Sequence, residues 1–196
     1  MKIYGIQKDE QQPCNIIKTA DHIFMFDCPL NWSFFKYSNP LKYNIQLQSD
    51  MYLNQTPKLC EARSQHISNI SLENLCGFDL KMIDLSLVDA LFISNPYFAY
   101  ALPLLFHFGF RGTIISTIAT QSFLLMLLKE FQKFFESSVS VCCKNNSSKI
   151  RYAEFLSLLK QLHDMYSHEN IQKCFGDAVT LNYNQIHEYV SFNILQ

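Results

Sequence analysis

The chain has 196 residues, and sixteen basic against seventeen acidic side chains leave a net charge of −1. That balance argues against a broad phosphate-neutralising surface, and so against sequence-independent nucleic-acid binding by this segment alone. Apolar residues at 48% exclude wholesale disorder, while only 5 glycines leave little from which to build a glycine-rich phosphate cradle.

The length suits one domain or one piece of a larger one. The first thirty residues read as three short strands, Lys2 to Ile6, Cys14 to Lys18 and His22 to Phe26. Short β-branched and aromatic runs separated by turn residues predict an antiparallel meander, which Asp27-Cys28-Pro29 ends. From 30 to about 80 no period is sustained, and the segment reads as an irregular insertion. Val88 to Ile93 is a compact apolar run suited to a buried strand. After Ser94-Asn95-Pro96, Tyr97 to Phe108 predicts a short helix with Pro103 near its start or breaking it. Gly109 and Gly112 bracket a turn, and Thr113 to Thr117 is the next strand.

Thr120 is placed to cap a helix ending near Glu136. Phe123, Leu124, Leu127, Leu128, Phe131, Phe134 and Phe135 recur at three- and four-residue steps, so this stripe packs the helix on the sheet, with a partner contact as the alternative. Residues 137–148 read as a polar linker. Arg151 to Met165 is a second amphipathic helix, and Ser167 caps a third. Two strands close the chain, Val179 to Tyr183 and Tyr189 to Ile194. Strands, then strand–helix–strand units, then strands again predict α/β layering with a mixed sheet.

The seven cysteines (Cys14, Cys28, Cys60, Cys76, Cys142, Cys143 and Cys174) are odd in number and lack C-x-x-C spacing. They read as reduced thiols, several buried as small hydrophobes, rather than a disulfide framework or a zinc module. The start becomes charged too early for a signal peptide. Between Asp89 and Arg111 lie 21 residues without formal charge, and 17 more follow to Leu128, so a membrane hairpin through 90–128 is an alternative on length. Ser94, Asn95, Pro96, Pro103, His107 and Gly109 interrupt it and favour the soluble reading. His22 and His107 read as structural or surface histidines. His163-Asp164 and His168 fall off a common helical face, which weighs against a metal site.

Several stretches resemble, in order, the metallo-β-lactamase-fold proteins of the β-CASP branch. Met1-Lys2-Ile3-Tyr4, Pro13-Cys14-Asn15 and Met25-Phe26-Asp27-Cys28 resemble that family's first strands. The block from Ile83 to Asn95 is similar to the strand leading into its metal loop. Ala101-Leu102-Pro103 resembles the start of the following helix, and Gly112-Thr113 and Ala119-Thr120 the next strand and helix cap. The resemblance covers most of the chain, with 30–80 and 137–166 poorly matched. It implies one partial domain over 1–196, the N-terminal half of an αββα sandwich, with the irregular insertion at about 30–80 and the linker at 137–148. The chain ends at Gln196, before the family's third motif, so a truncated, non-functional fragment is a further alternative. Half a sandwich would leave a sheet edge and a core face uncovered.

Active family members carry His-x-His-x-Asp-His after this strand, because two zinc ions need neutral imidazoles and a carboxylate at about 2.0–2.2 Å. Here the resemblance places those positions on Asn95, Tyr97, Ala99 and Tyr100. A carboxamide is a weak donor, alanine has none, and a phenol stays protonated to about pH 10. Tyr97, Phe98 and Tyr100 are also expected to fill the volume that metals would need. Asp27 stands at the family's first motif and is expected to support the loop from behind the ligands. The resemblance therefore implies no catalytic residue, no metal and no cofactor. It implies a non-catalytic subunit of a nuclear RNA-processing machine, paired with a catalytically intact paralogue that cleaves the 3′ ends of small nuclear RNAs and nascent transcripts. RNA contact would then be indirect, through the complex, with no membrane. The near alternative is the non-catalytic subunit of the cleavage and polyadenylation factor, which generally keeps more histidine and aspartate in the second motif. A weak zinc hydrolase with rearranged ligands is the enzyme-class alternative.

Overall fold

The computed structural model describes residues 1–8, 12–31, 71–144 and 150–185. Its centre is a six-stranded sheet in sequence order: β1 (Lys2–Gly5), β2 (Asn15–Lys18), β3 (Ile23–Phe26), β4 (Ala90–Ile93), β5 (Thr113–Thr117) and β6 (Val179–Leu181). The first three strands form the expected antiparallel meander. From β3 onward each neighbour is parallel, so the sheet is mixed.

Register explains which residues form the core. Ile16, Met25, Leu91 and Ile114 fall opposite one another across β2 to β5, and all four are buried. Successive side chains on a strand point to opposite faces, so this row belongs to one face. It packs into a single cluster with Leu124, Leu128, Phe155, Leu159 and Leu162 from the helices. Each such fully buried side chain contributes about 1.5–3 kcal/mol. The adjacent row, Phe26, Phe92 and Ile115, lies on the other face, where the Phe26 and Phe92 rings stack at 4.9 Å.

Among the described residues four α-helices accompany the sheet: α1 (Leu102–His107), α2 (Ile118–Lys144), α3 (Ile150–Met165) and α4 (His168–Cys174). α1 packs against α3 and α4, and α2 against the same pair. Within the stretch from Tyr97 to Phe108 the helix α1 begins at Leu102, with Pro103 near its start as expected, and a separate 3-10 turn, Pro96–Phe98, precedes it. Both prolines sit in first turns, where the missing N–H has no intrahelical partner to lose. Arg111 then donates to the carbonyls of Phe106 and Phe110 at the end of α1.

The long helix differs at both ends from its sequence reading. It begins at Ile118, directly after β5, and Thr117 rather than Thr120 supplies the capping hydroxyl, accepting from the Thr120 amide at 3.2 Å. It then runs through most of the expected linker, to Lys144. Polarity alone does not break a helix. No glycine or proline lies between Glu136 and Lys144, and the Ser137 hydroxyl donates back to the Lys133 carbonyl at 2.8 Å. α4 is capped as expected, with the Ser167 side chain accepting from the Asn170 amide.

Only the ends of the expected insertion fall within the described residues; 32–70 lies outside them, as does the expected strand from Tyr189 to Ile194. Residues 71–88 form three 3-10 turns. They are tied to the meander by Lys8 donating to Gly77, Asp79 to Ile6, and Asn31 to Leu75. Leu75, Cys76 and Phe78 are fully buried, so this part is integral to the core rather than an appendage. The uncharged stretches that prompted the membrane alternative form β4, a turn, α1, β5 and the start of α2. Among the described residues no helix is long and apolar enough to cross a membrane.

Gly112 shows how tightly β5 enters the sheet. A Cβ there would lie 2.4 Å from the Val88 carbonyl oxygen and 2.5 Å from that of Asp89. Those are backbone atoms, and the Asp89 carbonyl also accepts from Thr113 at 2.9 Å. Gly112→Ala is therefore expected to cost about 2 kcal/mol by forcing the β4 entrance apart. A urea midpoint equal to that of the parent chain would contradict this packing.

Candidate functional site

The parallel strands β3, β4 and β5 end on one edge of the sheet, the position at which open α/β sheets bring loop residues together. β3 runs out at Phe26, and Asp27 takes a left-handed backbone conformation, φ 61°. Aspartate is among the few residues that tolerate this region. The Asp27 amide still extends the ladder, donating to the Phe92 carbonyl at 2.9 Å, while the Cys14 thiol donates to the Asp27 carbonyl at 3.3 Å.

That geometry turns the Asp27 carboxylate onto the loop after β4. One oxygen accepts from the Ser94 amide at 2.8 Å and the other from the Ser94 hydroxyl at 2.6 Å. The Asn95 backbone adds a smaller stabilisation of its charged form. The residue is 5% exposed, and burial outweighs the Ser94 hydrogen bonds, holding the carboxyl above its ordinary range. The next residue continues the staple: Cys28 donates to Phe98 at 2.7 Å and accepts from Ala101 at 3.1 Å. The loop from Ser94 to Ala101 is thus pinned at both ends to two consecutive residues.

The four positions that the family resemblance assigned to metal ligands are occupied as follows. The Asn95 side-chain oxygen accepts from the Tyr97 amide at 2.9 Å, which starts the 3-10 turn and commits the carboxamide to local structure. Tyr97 is 61% exposed. Ala99 is fully buried and presents a methyl group. Tyr100 is buried against the Phe131 ring at 5.1 Å, and burial, then the neighbouring Tyr97, pushes its phenol up, away from the deprotonated form a metal would need. Its carbonyl accepts from the Tyr166 hydroxyl at 2.6 Å. As a donor set these side chains do not fit a zinc pair, which draws on imidazole and carboxylate. Of the three bulky residues expected to fill the loop interior, Tyr100 is buried, Phe98 is half-buried, and Tyr97 instead faces outward.

The other candidate donors lie elsewhere. His22 is at the opposite end of β3, its Nδ1 3.7 Å from an Asp89 oxygen. His107 is exposed at the end of α1. His163 and Asp164 form an exposed contact at 3.2 Å, with His168 on the following helix. Cys14, Cys28, Cys76 and Cys174 are buried free thiols, and burial pushes those of Cys76 and Cys174 up to about 12. Cys60, Cys142 and Cys143 lie outside the residues whose side chains are described. Among the described residues no three His, Cys, Asp or Glu side chains converge on a point that could hold a metal.

Two residues at this site escaped the sequence reading. Ser94 figured only as part of a loop, although Ile-Ser-Asn was among the matched stretches. Tyr166 carried no local signal at all, because its partner is 66 positions away.

The sheet order, its register and the Asp27-pinned loop define an α/β fold consistent with a metallo-β-lactamase-like protein. No family model matches the chain. Among curated proteins it is similar to Integrator complex subunit 9. It is 29% identical over 149 residues to that protein in Homo sapiens and in Mus musculus, an alignment covering 69% of this chain and 22% of each relative. The Xenopus laevis protein is 31% identical over 147 residues, with the same coverage. A Nematostella vectensis homolog aligns over 94% of the chain at 23% identity, covering 31% of its own length. The chain therefore spans less than a third of the length of these relatives.

Proposed function

We propose that the chain is a non-catalytic scaffold segment of the Integrator complex in the nucleus, paired with the catalytic endonuclease, Integrator complex subunit 11, in 3′-end processing of small nuclear RNA and nascent transcripts. The observation that carries this reading is the similarity to Integrator complex subunit 9, aligned over 69–94% of the chain. The donor set at Asn95, Tyr97, Ala99 and Tyr100 supports the non-catalytic half of it: Asn95 caps a 3-10 turn, and Ala99 and Tyr100 are packed in the core. Pairing with a similar domain would bury a large complementary surface in which one partner alone needs metals.

The test is co-precipitation from nuclear extract. The tagged chain is expected to recover Integrator complex subunit 11. Failure to do so, where full-length Integrator complex subunit 9 recovers it, would overturn the assembly reading. Metal analysis tests the other half independently. The purified chain is expected to carry well under one equivalent of zinc after dialysis, and stoichiometric zinc would restore the hydrolase alternative.

A further inference from the structure

We draw no further inference here: the strongest candidate, the outward flank of α2 where Phe123, Met126 and Phe134 are each at least half exposed, is an apolar helix face, and nothing in the structure shows what covers it.

Discussion

Replacing Tyr166 by alanine is expected to lower the unfolding free energy by about 4 kcal/mol, read as a drop in the urea midpoint at unchanged slope. The side chain is fully buried at the junction of three elements. Its ring lies 5.8 Å from Phe131 and 5.1 Å from Phe135 on α2, and its hydroxyl reaches the Tyr100 carbonyl in the loop after β4. Truncation removes the largest volume in this part of the core and leaves a cavity that the surrounding helices cannot fully close. Tyr166→Phe separates the two contributions. It keeps the ring and removes the hydroxyl, so about 1–2 kcal/mol is expected. Were Tyr166→Ala to cost no more than Tyr166→Phe, the aromatic cluster would not be holding α2 against the loop.

Asp27→Ala is expected to cost about 3 kcal/mol. Alanine loses the two hydrogen bonds that tie Ser94 to the end of β3. It also pays a conformational penalty at φ 61° that aspartate largely avoids. Asp27→Asn should be far milder, within about 1 kcal/mol, because asparagine tolerates the same backbone and its carboxamide oxygen can still accept from the Ser94 amide. The pair of variants also has a pH signature. Burial raises the folded-state pKa of this carboxyl above its ordinary value of 3.8. In that window the native state binds more protons than the unfolded chain, so the stabilisation is full below the ordinary value and is lost as pH rises through the raised one. Asp27→Asn removes the titration, so its stability relative to the parent should improve as pH increases across that window. A relative stability that instead worsened with pH would mean that the hydrogen bonds outweigh burial at Asp27.

Much of the fold was legible because its signals are local. The strand Thr113–Thr117 has the bounds its composition predicts, a β-branched run between Gly112 and the start of a helical period. The three strands of the meander, the Ser167 cap and the α/β layering follow from the same kind of evidence: alternation, turn residues and capping side chains. Where reading failed, the missing term was again physical. The stretch after Glu136 looked like a linker because it is polar, yet a serine that bonds its own helix and a Val139 packed on the core let α2 continue. Helical spacing puts the aromatic stripe on one face, but the structure divides it. Leu124, Leu128 and Phe135 are buried, while Phe123 and Phe134 are at least half exposed. Helical periodicity fixes direction around the axis; how wide an arc is covered depends on neighbours the period does not encode.

At the candidate site the division is sharper. Side-chain identity alone determined what chemistry Asn95, Tyr97, Ala99 and Tyr100 can offer, a carboxamide, two phenols and a methyl group, because donor character belongs to the residue wherever it sits. The tertiary structure decided what those residues do instead. Ser94 and Asp27 are 67 positions apart, and Tyr100 and Tyr166 are 66 apart. They meet because β3 and β4 pair in parallel and the turn after α3 brings Tyr166 to the loop, long-range contacts that no local pattern of residues encodes.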